Sequence, residues 1–93
     1  MKTYTIGFWM DPIATIKPYK DTSFALMLAA QALGHRVMYV PKNGLSLIDG
    51  QPYARMAPVT VVDQTENFAT VGEETLAALT TLDVVMIRVD PPF

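Results

Sequence analysis

The chain contains no cysteine. That excludes disulfides, thiolate metal sites and a cysteine nucleophile, and it fits a reducing compartment. Histidine occurs once, at His35. With no second histidine and no carboxylate set beside it by sequence, neither a metal site nor a catalytic triad has support. Both common phosphate-binding glycine loops, Gly-x-Gly-x-x-Gly and Gly-x-x-x-x-Gly-Lys-Ser/Thr, are also missing, so phosphate cradling of that kind is not encoded here. The seven Lys and Arg residues are scattered from Lys2 to Arg88 and the net charge is only −2. Without a basic face, nucleic acid is not an expected partner. Long apolar runs are lacking too: the longest nearly uncharged stretch, 22–34, has about thirteen residues against the roughly 20 that cross a bilayer, and no membrane partner is expected. The amino-terminus shows one lysine and an alternating pattern in place of an export signal, which makes the cytoplasm the expected location.

What is present is the composition of a small globular domain: 93 residues, 51% hydrophobic and 17% charged. Such a chain buries about 60–65% of the surface exposed when unfolded. Two of its apolar runs end in the same way. Ile6-Gly7-Phe8-Trp9-Met10 runs into Asp11-Pro12, and Val84-Val85-Met86-Ile87-Arg88-Val89 runs into Asp90-Pro91-Pro92-Phe93. Proline has no N–H to donate and biases its predecessor toward extended geometry, so each Asp-Pro stops a strand and turns the chain out of the sheet. In open α/β sheets ligands bind beyond the carboxyl ends of the strands, which directs attention to residues 11–23 and 88–93.

Residues 3–10 read as a strand covered on both faces, followed by a loop over 11–20. Asp21, Thr22 and Ser23 then supply capping side chains for a helix over 24–33, with Gly34 as its stop. Residues 36–40 form a second strand and complete a β-α-β unit, so the first two strands are parallel. Asp49-Gly50 sits between apolar segments at 45–48 and 52–62 and predicts a β-hairpin arm. Pro52 and Pro58 assign that arm to an edge or to a position outside the main sheet. A short strand over 68–71 follows. Leu76, Leu79 and Leu82 behind Glu73 and Glu74 then predict a second helix over 73–82, and residues 83–89 form a final, buried strand. The expected fold class is α/β: a Rossmann-like parallel sheet with helices on its faces plus a β-hairpin arm. A doubly wound sheet wants further elements, so the sequence reads as the front portion of something longer, with open sheet edges that favour self-association or covering by further chain.

If the first and last strands are parallel neighbours, Asp11 and Asp90 share one sheet edge and can form a polar lip for an amine, amide or cation. Each aspartate equally serves to cap its own turn. Arg88 interrupts an apolar run and needs a partner, either a substrate carboxylate bound in a bidentate manner or Asp90 or Asp11 in an internal ion pair. Asp21, Thr22 and Ser23 are explained by capping, although a helix start at that edge also suits an anion. His35 follows the helix stop and reads as structural. Trp9, Phe8, Met27 and Met38 read as core, and Lys17 and Lys20 as a solvated loop.

Three separated motifs, Met10-Asp11-Pro12-Ile13, Lys20-Asp21-Thr22-Ser23-Phe24-Ala25-Leu26-Met27 and Arg88-Val89-Asp90-Pro91-Pro92-Phe93, closely resemble the amino-terminal domain of bacterial glutathione synthetase in order and spacing. The resemblance covers essentially the whole chain, residues 1–93. It departs at Trp9, where a smaller aliphatic is usual, and at Val89, where lysine is common. The resemblance implies the incomplete amino-terminal part of an ATP-grasp ligase, its pre-ATP-grasp domain. The parent would join γ-glutamylcysteine to glycine through an acyl phosphate, using ATP and Mg2+ bound on later domains. This domain would wall the peptide-substrate site and support contacts in a homo-oligomer. Asp11, Pro12, Ser23, Arg88, Asp90 and Pro91 carry over as substrate-binding candidates. None is expected to make or break bonds, no cofactor is expected on this segment, and the 93-residue piece alone is expected to be inactive. The rival readings are a stand-alone α/β binding or interaction module and the same domain of another ATP-grasp peptide ligase.

Overall fold

A computed structural model describes residues 2–10, 13, 22–64 and 67–88. Strand β1 (Thr5–Met10) lies between two parallel neighbours, β2 (Arg36–Pro41) and β7 (Val84–Arg88). The first and last strands therefore run side by side in the same direction, the arrangement that a shared sheet edge for Asp11 and Asp90 requires. Between β1 and β2 comes helix α1 (Thr22–Ala32), which buries Ser23, Phe24, Met27 and Ala30 on one face. That spacing of three to four residues is the helical period. The helix ends at Gly34 (φ 85°), where Gly34 N–H donates to Gln31 O and His35 N–H to Ala30 O, the two bonds of a Schellman motif. Thr22 and Ser23 are already helical, so the helix begins earlier than their capping pattern suggests.

The hairpin forms as expected from β3 (Leu45–Ile48) and β4 (Gln51–Val61). Asp49 and Gly50 both have positive φ, 51° and 79°, which is the requirement of a type I′ turn. Its position is a correction. Strand β4 is the backbone of the antiparallel half, pairing with β2 and β3 along one side and with β5 (Ala69–Val71) and β6 (Thr75–Ala78) along the other. The prolines do not push it to an edge because each falls where no donor is required. Pro52 opposes Leu47 one step inside the two-residue turn, a non-hydrogen-bonded position, and on its other side the β6 ladder reaches only Tyr53. Pro58 falls in the gap between β5 and β6, where its carbonyl still accepts from Gly72 N–H at 2.8 Å.

The helix expected over 73–82 is a second correction: those residues form β6 and a 3₁₀ turn, Leu79–Thr81. Two physical reasons override the leucine spacing. The open side of β4 offers a ladder to Thr75–Ala78, and a period of three fits a 3₁₀ turn as well as an α-helix. Leu76 is left 54% exposed while Leu82 is buried. The sheet is consequently mixed and curled: hydrogen-bonded pairs link β3 to β4, β4 to β2, β2 to β1 and β1 to β7, with β5 and β6 also attached to β4. Among the described residues α1 is the one α-helix, so helices do not cover both faces.

Each face nonetheless has a core. Under α1, Phe8, Met10, Val37, Val59 and Val61 pack with Phe24, Met27 and Ala30, each large side chain adding about 1.5–3 kcal/mol when fully buried. On the opposite face Val40, Ala54, Met56 and Leu82 cluster, with Trp9, Leu79 and Ala77 against them. The 3₁₀ turn and Leu82 thus do the covering that a second helix was expected to do. Leu82 presses so closely on β1 that a Cβ at Gly7 would lie 2.5 Å from its Cδ1.

The last strand supplies a third correction. It has one neighbour among the described residues, β1, and Val84, Val85 and Ile87 are exposed. A strand with an apolar sequence looks buried to pattern reading whatever its neighbours, because composition carries no information about them.

Candidate functional site

The site is assembled from the carboxyl ends of β1 and β7 and the first turn of α1. Met10 and Arg88 are direct register partners, so the two strands end next to each other. Paired residues on adjacent strands share a face, and Met10 belongs to the core beneath α1, so Arg88 rises from the helix side of the sheet. There its Nε–H donates to Ser23 Oγ at 2.9 Å across 65 positions of sequence. Ser23 is 4% exposed and is the buried polar residue among those described. Arg88 itself is exposed. No carboxylate among the described residues forms an ion pair with it; the ion pair recorded among them is Arg55 with Glu74 at 3.8 Å.

Tyr39, not singled out by sequence reasoning, also reaches this end. It pairs with Phe8 in the β1–β2 ladder, and its hydroxyl accepts from Ile13 N–H at 3.4 Å. The available signal was a polar-tipped aromatic within an otherwise apolar strand. Of the six substrate-binding candidates, Ser23 and Arg88 are thus brought into contact. Asp11, Pro12, Asp90 and Pro91 lie outside the described residues, as do Lys17, Lys20 and Asp21.

His35 is far from this constellation in the ladder. Its Nδ1 accepts from Tyr4 N–H at 3.1 Å, with the two rings 5.3 Å apart, and it ties the end of α1 to the start of β1. Trp9 packs on the opposite face, where its Nε1–H donates to Lys42 O at 3.0 Å.

Chemically, the arrangement offers a permanently charged donor fork steadied by a hydroxyl, which suits holding an anionic group. Among the described residues no group of three or more His, Cys, Asp or Glu side chains is placed to hold a metal ion, and none of their helices is long and apolar enough to cross a membrane.

A β-α-β unit with parallel strands ending beside a helix start defines a mixed α/β domain, here extended by a curled antiparallel half. The family model described as "Prokaryotic glutathione synthetase, N-terminal domain" matches residues 4–93, and the chain belongs to that family. Among curated relatives, a glutathione synthetase of Xanthomonas axonopodis is 47% identical over 83 residues, covering 89% of this chain and 26% of that protein. One of Pseudomonas putida is 42% identical over 88 residues, 95% of this chain and 28% of that protein. One of Salmonella typhimurium is 41% identical over the same share of each. The chain therefore spans about a quarter of the length of the relatives it matches.

Proposed function

We propose that residues 1–93 are the amino-terminal, pre-ATP-grasp domain of a glutathione synthetase, an ATP-dependent ligase joining γ-glutamylcysteine to glycine through an acyl phosphate. The observation that carries this reading is the 47% identity to a glutathione synthetase over 89% of the chain. In this reading the domain walls the peptide-substrate site at the edge where β1 and β7 end, and it supports subunit contacts in a cytoplasmic homo-oligomer. Arg88, backed by its hydrogen bond to the buried Ser23, forms the described part of that wall, joined by Asp11, Pro12, Asp90 and Pro91. Their role is to bind and orient the peptide.

ATP and Mg2+ supply phosphoryl activation of the peptide carboxylate in the parent. The described residues of this chain do not fit either group, having no cluster of metal-ligand side chains and no phosphate-cradling glycine loop. Both belong to the rest of the parent in this reading.

The test compares the full-length parent with the 93-residue chain in ATP-dependent ligation of glycine to γ-glutamylcysteine. The parent is expected to be active and the short chain inactive. Activity in the short chain, or its absence from the parent, overturns the reading.

A further inference from the structure

We infer that Ser23 is not a substrate contact but the positioning residue of Arg88, and that Arg88, so held, receives a carboxylate of the peptide substrate. The second half rests on the ligase reading above. Two observations carry the inference. Ser23 is 4% exposed, leaving almost no surface for a ligand, and its Oγ is engaged by Arg88 Nε–H at 2.9 Å. Arg88 in contrast is exposed, at the end of a strand with one neighbour among the described residues.

An arginine in that setting would sample many rotamers and lose them all on binding. A single bond at Nε removes much of this freedom while leaving Nη1 and Nη2 as an end-on fork. That fork matches the two oxygens of a carboxylate in a bidentate pair. A guanidinium fork pairs with phosphate as well as with carboxylate; in the ligase reading the peptide brings its carboxylates to this edge while ATP is held by later domains, which favours carboxylate as the ligand class. The sheet explains why the two residues meet. Arg88 is in register with Met10, and Met10 belongs to the same buried cluster as Phe24, the residue after Ser23.

The experiment uses the full-length parent carrying Ser23→Ala, Ser23→Thr, Arg88→Lys and the double variant Ser23→Ala/Arg88→Lys. Losing a hydrogen bond to a charged group is expected to raise the KM for γ-glutamylcysteine about tenfold in Ser23→Ala. Its kcat and its KM for ATP should stay within about twofold, a split that general loss of structure would not produce. Ser23→Thr keeps the hydroxyl and should recover most of the wild-type KM. Arg88→Lys has no Nε–H, so adding Ser23→Ala to it should raise the KM no further.

A second readout is independent of turnover: the 15N-bound Nε proton of Arg88 should exchange slowly with water in the wild type and faster in Ser23→Ala. Additive KM effects in the double variant, an equal rise in the KM for ATP, or Nε–H exchange unchanged by Ser23→Ala would each overturn the positioning role. Absence of ligation by the wild-type parent would instead sink the ligase reading, while the exchange measurement would still judge the tie between Ser23 and Arg88.

Discussion

Replacing Gln31 is the sharpest test of how α1 is fastened to the sheet. Its side-chain amide spans Val61: Oε1 accepts from Val61 N–H at 2.6 Å and Nε2 donates to Val61 O at 2.7 Å. The register of β2 on β4, Met38 with Pro58 and Tyr39 with Ala57, extrapolates to residue 35 opposite Val61. There the chain is still leaving α1, and the glutamine amide takes the place of a backbone amide in the ladder. In Gln31→Ala two bonds of about 1 kcal/mol each are lost, and Val61, 2% exposed, is left with an unpaired N–H and C=O, for a total of about 2–4 kcal/mol. In a domain of this size that lowers Tm by roughly 10–25 °C.

Gln31→Glu distinguishes donor from acceptor. It keeps the acceptor for Val61 N–H but at neutral pH sets a carboxylate against Val61 O. The fold favours the protonated acid, which restores a donor. The lost stability should therefore return below the ordinary glutamate range and disappear as pH rises. Urea titration followed by fluorescence of Trp9, the single tryptophan, measures both variants. A cost under about 0.5 kcal/mol for Gln31→Ala, the level of a neutral surface change, or an acid-insensitive Gln31→Glu, would refute the reasoning.

Gly7→Ala should cost about 1–3 kcal/mol by overpacking against Leu82, whose Cδ1 would lie 2.5 Å from the new Cβ; adding Leu82→Ala should yield less than the summed costs in the same titration. Gly50→Ala places a side chain at φ 79° and should cost about 1 kcal/mol, readable as a Tm shift. Glu74→Gln should change stability by less than about 0.5 kcal/mol, because its 3.8 Å contact with Arg55 joins side chains 48% and 56% exposed.

The parts of the fold legible in the sequence are those with local causes. Asp49-Gly50 specifies its turn by conformational preference, and Gly34 stops α1 by the same means. The parallel placement of β1 and β7 entered the sequence reading only as a condition for their matching Asp-Pro exits to share an edge. Residues 73–82 were not legible, because their conformation is decided by the vacant side of β4 and the uncovered face of the sheet, both made by residues far away in sequence. Pro58 misled for a related reason: a missing donor matters only where a partner is present to accept. At the site, Ser23 and Arg88 were each named, Ser23 as a cap, Arg88 as the partner of a substrate carboxylate or of an aspartate, and both as substrate-binding candidates, but not as partners of each other. Their contact depends on the register of Met10 with Arg88, which no spacing within either motif reveals.

Thr5 and Asp83 exchange hydrogen bonds, with Thr5 N–H donating to Asp83 Oδ2 and Asp83 N–H to Thr5 O, both at 2.8 Å across 78 positions. During synthesis at about 5–20 residues per second, the opening strand must wait several seconds for its second neighbour to emerge. For that interval its apolar row is a templating hazard on the ribosome, and nascent-chain chaperones have a defined stretch to shield.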